Sequence, residues 1–193
     1  MDGKVKGDTL VRIWRTFAKR GHDRLVESRL PPGLSKELES GFIVATEWYP
    51  IDLYLALYGA LLELTSYDEV VATAHESVMR GLQHGTWKVF VPVIAGLAPT
   101  AFAERACKRF EIVYKVTFDP GEAKVTIVPG GADVLVSPVF WSPSLAWRAG
   151  VTGGLLTIPE LARLEGECKA SDAEGGAVVF RLRWRKARSD VRG

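Results

Sequence analysis

Cysteine is almost absent: the chain has two in 193 residues, Cys107 and Cys168, far apart and in no C-x-x-C pair. Two thiols cannot build a disulfide framework, so a reducing compartment and a cytoplasmic location are expected. Long apolar runs are missing too. The longest, Trp48 to Leu62, is broken by Pro50, Asp52 and Gly59, and a membrane span needs about 18 apolar residues without such breaks. The opening Met1-Asp2-Gly3-Lys4-Val5-Lys6 leads into an amphipathic segment and lacks the apolar stretch of a signal peptide.

Catalytic and metal motifs are equally scarce. There is no G-x-S-x-G, no P-loop and no G-x-G-x-x-G; Gly130-Gly131 and Gly153-Gly154 read as turns. His75-Glu76 begins an H-E-x-x-H pattern, but Met79 stands where the second histidine must be. The other histidines, His22 and His84, do not stack with it on one helical face. Cys107 lies among Arg105, Lys108 and Arg109, cations that favour a thiolate, but no partner histidine or acid completes a nucleophilic pair. The expectation is a non-enzymatic protein with no metal site.

What is present is an ordinary globular composition. An apolar content of 47% with 25% charged residues excludes disorder over the whole chain. The length suits one domain over residues 1–193. It divides into a helical N-terminal extension (1–45), a helical part (46–110), a sheet-rich part (111–186) and a basic tail (187–193).

Helical spacing places Leu10, Ile13, Trp14 and Phe17 on one face, ended by Gly21. A short helix over His22 to Arg29 and a weaker one over Leu34 to Phe42 follow. Pro50 suits the first turn of a third helix, whose apolar stripe is Ile51, Tyr54, Leu55, Tyr58, Leu61 and Leu62. Ser66 and Glu69 form a capping-box pattern for a fourth. Two more are expected over Trp87 to Leu97 and Thr100 to Phe110. The texture then changes. Val113 to Phe118 and Ala123 to Val128 read as a hairpin around Asp119-Pro120-Gly121; Asp133 to Val136 is short for a strand. Ser144 to Leu155 reads as a helix. Leu161 to Ala170 and Ala177 to Arg185 read as a second hairpin. Helices first and strands later indicate α+β, a helical layer packed on an antiparallel sheet.

The aromatic residues could line an apolar pocket, with Trp48, Tyr54, Tyr58 and Trp87, together with His75, as candidate ligand-binding residues. Trp141 and Trp147 cannot share one helical face cleanly, so one of them is expected at a pocket mouth or a homodimer interface. The last strand alternates Val178, Phe180, Leu182 and Trp184 with Arg181, Arg183 and Arg185. Those arginines are either a solvated or edge-blunting face or an anion-binding stripe for an acidic partner. A pI of 8.5 and the lack of an aromatic-interleaved basic motif argue against nucleic acid.

Trp48-Tyr49-Pro50, with the tail Gly166-Glu167-Cys168, Gly175-Gly176 and Val179-Phe180-Arg181-Leu182-Arg183-Trp184, resembles a myxobacterial family of about this length. That family is similar to the superfamily of haem-NO-binding domains, 4-vinyl reductase domains and a TRAPP subunit. The resemblance implies N-terminal helices packed on an antiparallel sheet, with an apolar cavity between them for a small hydrophobic ligand, in a sensory or docking role. The haem branch pairs its histidine with a Y-x-S-x-R motif, which this sequence lacks, so no haem or other cofactor is expected. The cysteine cluster of the reductase branch is reduced to Cys168. The alternative is a protein-interaction or homodimerising scaffold.

Overall fold

The computed structural model describes residues 3–82 and 97–186. Trp87, His84, the body of the helix expected over Trp87 to Leu97, and the basic tail lie outside these residues. The described chain is α+β, with its helices ahead of and around two antiparallel sheets.

Strand β1 (Lys4–Lys6) leads directly into α1 (Gly7–Arg20). Gly21 ends that helix in the left-handed region at φ +71° and returns its N–H to Ala18. Then come α2 (His22–Val26), a single 3₁₀ turn (Glu27–Arg29) and α3 (Leu34–Ser40). Strand β2 (Trp48–Pro50) precedes α4 (Ile51–Leu64). Pro50 therefore closes a strand and sits just before the helix, one position earlier than its sequence suggests. In α5 (Tyr67–Leu82) half of the capping box forms: the Ser66 hydroxyl accepts from the Glu69 N–H at 3.2 Å. The Glu69 carboxylate instead turns to Arg20 at 2.6 Å.

Helix α6 runs over Pro99–Thr117 and takes in most of the segment expected as a strand from Val113. Phe110, Val113, Tyr114 and Thr117 recur at helical spacing, and that pattern wins over the β-preference of the valines. Strand β3 is only Phe118–Asp119. β4 (Ala123–Val128) and β5 (Gly131–Val136) form a hairpin whose turn has Gly130 at φ +66°. Helix α7 (Leu145–Leu161) passes through Gly153-Gly154 and beyond the expected end at Leu155. β6 (Leu164–Asp172) and β7 (Val178–Lys186) close the described chain as a hairpin, as their alternation indicates.

Two sheets result, one ordered β2-β1-β3 and the other β4-β5-β7-β6. β7 is thus an inner strand. Its arginines blunt no edge, since β4 and β6 are the edges of that sheet. The apolar side of β7 is buried, with Phe180 edge-on to Trp147 of α7 at 5.6 Å between ring centroids. One connected core runs from Val5 to Trp184 across both sheets and the helices. Among the described residues, no helix is long and apolar enough to cross a membrane.

Candidate functional site

Helices α1, α4, α5, α6 and α7 border a half-open cavity of about 1620 Å³. Its walls are mainly apolar, with Ile13, Phe102, Phe110, Val113 and Ile158 among them. The resemblance implies a cavity between helices and sheet; here the described wall is helical, and among the described lining residues only Phe118 comes from a strand. The β7 apolar residues belong to the packed core and not to the cavity.

Helix α7 comes close enough to form this wall because glycine faces its neighbours. A Cβ on Gly153 would fall 2.7 Å from Ala74 Cβ and 2.8 Å from the His75 backbone nitrogen. A Cβ on Gly150 would overlap the Tyr54 hydroxyl. Tyr54 and Tyr58 reach the cavity from α4, with ring centroids 5.0 Å apart, edge to face. Tyr114 reaches it from α6 and packs 5.1 Å from Phe118.

Burial pushes all three phenols above their ordinary range, so they remain neutral hydrogen-bonding groups. The Arg12 charge opposes that push at Tyr54 and Tyr58. At Tyr114 the Trp141 indole opposes it, yet neither the Tyr114 hydroxyl nor the Trp141 N–H reaches hydrogen-bond geometry with a partner.

The rim is charged. Glu76 accepts hydrogen bonds from Lys19 at 3.0 Å, Arg20 at 3.1 Å and Arg80 at 3.0 Å. Burial works against its charge, but these cations outweigh it and bring its pKa down to about 2. Arg12 donates to Asp8 at 2.8 Å. The cluster ties α1 to the outer half of α5 at the cavity edge.

Of the residues singled out as ligand-binding, Tyr54 and Tyr58 line the cavity together. Trp48 does not: it is 37% exposed on β2, with the Lys6 ammonium 4.1 Å above its ring. His75 is turned away into an ion-pair contact with Glu160 of α7 at 2.8 Å. Trp87 lies outside the described residues. The interaction face expected around Trp141 and Trp147 does not exist as such, because they are 2% and 0% exposed. Arg183 and Arg185 are engaged within their own sheet, with Asp133 and Glu165, both at 2.7 Å, and Arg181 donates to Ser171 at 2.7 Å. The cations near Cys107 do not activate it. The thiol is buried, away from the cavity, and burial lifts its pKa to about 12.

Sequence reasoning expected a helix over Thr100 to Phe110 without assigning its face to the site, and missed Tyr114 because the valines around it favour a strand locally. The signal was present: Phe102, Arg105, Ala106, Arg109, Phe110 and Val113 repeat at three and four residues.

The architecture is that of solved H-NOX proteins. The H-NOX protein from K. algicida, in its Fe(II) unliganded form, matches with a TM-score of 0.61 at 12% identity, over 95% of this chain and 98% of that one. The H-NOX protein from S. oneidensis, in the Fe(II)NO ligation state, matches with a TM-score of 0.59 at 12% identity, over 94% of this chain and 99% of that one. A mutant of T. tengcongensis H-NOX gives 0.57 at 10% identity, over 95% and 100%. At these identities the likeness establishes the fold. In fold it agrees with the haem-NO-binding side of the resemblance, and it lends no specific support to the reductase or TRAPP side. No family model matches the sequence, and no curated protein does.

Proposed function

We propose that the protein is a non-enzymatic sensory domain that binds a small hydrophobic ligand in the helix-lined cavity. The observation that carries this reading is the cavity itself: about 1620 Å³, above the ~300–1,000 Å³ of ordinary ligand pockets, with apolar walls and a few convergent polar groups. Ligand entry would bear on five helices at once, which is the mechanical requirement of a sensor. The H-NOX fold supports the reading, since its solved members include Fe(II) unliganded and Fe(II)NO forms.

Haem is a poor fit to the described residues that line this cavity. Volume is no obstacle, but none of the described lining residues is a histidine or cysteine. The three phenols are held protonated by burial, opposite to what an anionic axial ligand requires. Met79 is the one soft donor on the described wall. The reading therefore assigns no step to haem.

Gly154 supplies the test. It lines the cavity from α7, and the nearest heavy atom to a Cβ placed there is Val78 Cγ2 at 3.8 Å. Gly154→Leu is expected to fill the cavity from one wall while keeping the fold. Binding of the neutral apolar probe N-phenyl-1-naphthylamine, followed by fluorescence, should weaken by about tenfold or more. Undiminished binding by a folded variant would remove the cavity from the reading.

A further inference from the structure

We infer that the cavity's ligand is an amphipathic organic acid, with its apolar body inside and its anionic head at the rim formed by α1, the end of α5 and α6. The inference rests on the ligand-binding reading above and adds the chemistry of the head group. Among the described residues six cations, Arg12, Arg15, Lys19, Arg80, Arg105 and Arg109, line the cavity against two acids, Asp8 and Glu76. That local excess of four charges is twice the +2 of the whole chain. Glu76 is already shared among Lys19, Arg20 and Arg80. Arg15, Arg105 and Arg109 have no ion-pair partner among the described residues.

Two features turn this excess into a directional site. Arg105 and Arg109 are one helical turn apart along one edge of the α6 face, and Phe102, Ala106, Phe110 and Val113 fill the apolar edge beside them. A molecule lying across that face meets cations along one edge and hydrocarbon along the other. Arg12 stands at the boundary. Its Nε is taken by Asp8 at 2.8 Å, while its Nη1 is nearest the place where a Gly81 Cβ would stand, at 2.9 Å. Its charge is felt at the Tyr54 and Tyr58 hydroxyls. A guanidinium has five N–H donors in a planar fork suited to a carboxylate, and the Asp8 pair uses only one edge of it. The neutral Tyr114 hydroxyl, buried on the cavity wall without a hydrogen-bond partner, is a further donor for a polar group on the ligand.

The test compares dodecanoate with its methyl ester, which keeps the chain and removes the charge. Both displace N-phenyl-1-naphthylamine from the wild type and from an Arg105→Gln/Arg109→Gln variant whose folding is checked by circular dichroism. Dodecanoate is expected to bind about tenfold or more tighter than the ester, with the preference falling at high salt. The double variant should lose most of that preference and leave ester binding unchanged; Arg12→Gln alone should reduce it as well. Equal binding of acid and ester by the wild type would overturn the head-group assignment and leave the apolar cavity standing. Failure of both ligands and the probe to bind would overturn the cavity reading with it. An acid preference that survives in both variants would show that these arginines do not hold the head.

Discussion

Glu76 carries more of the structure's charge pairing than any other acid among the described residues, with Lys19, Arg20 and Arg80 converging on it. A carboxyl whose folded pKa lies below its unfolded value stabilises the fold above the unfolded pKa, and the contribution drains away as pH falls toward the folded one. Here the window runs from 4.5 down to about 2. Glu76→Gln should cost about 1–2 kcal/mol at neutral pH, and the difference from wild type should close as pH falls through that window. Urea denaturation at several pH values checks this; a gap independent of pH would sink it. At this scale the sequence shows which faces are apolar but not what lies opposite them. Tyr54 and Tyr58 can be read because they share one stripe. The Glu160 partner of His75 lies on another helix, far along the chain, and no local pattern announces it.

The packing of α5 against α7 turns on a single missing side chain at Gly153, whereas Gly59 of α4 has open space where its Cβ would be. The two positions predict opposite outcomes for the same substitution. Gly153→Ala should destabilise by about 1–3 kcal/mol, because the new methyl meets Ala74 and the His75 backbone. Gly59→Ala should stabilise by about 0.5–1 kcal/mol, since alanine orders a helical turn at less entropic cost. Thermal or urea unfolding distinguishes them, and a stabilised Gly153→Ala would refute the close approach. Elements with long periodic patterns were legible: α1, α4 and α5 stand where the sequence put them, and the β6–β7 hairpin forms with β6 starting three residues later than expected, because Leu161 still belongs to α7. Strands β1 and β2, three residues each, are too short to show a period and exist because they pair with each other. The reading of Val113 to Phe118 as strand fails because helical spacing outweighs local preference there.

At the scale of the molecule, the order of helices before strands was enough for the fold class, and the tail motif pointed toward the architecture found. The resemblance and the Tyr54–Tyr58 stripe announced an apolar cavity, but its helical wall could not be read ahead of the structure. Among the described residues five helices contribute that wall, and their meeting is decided by tertiary packing. The first sheet is the counterpart to that enclosure, since β1 lies between β2 and β3 and links the start of α4 to the end of α6. Val5→Pro removes a donor from this inner strand. It should speed amide exchange in Tyr49 and Phe118 together, the residues that Val5 faces. Faster exchange at only one of them would show that the strands are not coupled.

The same strand sets the timing of assembly during synthesis. Val5 emerges from the ribosome long before Phe118, its partner on one side, so a growing chain must hold α1, α4 and α5 without the strand that joins them to α6. The sheet's centre is made early and completed late, a non-local closure that slows folding and leaves its edge open to other chains until then.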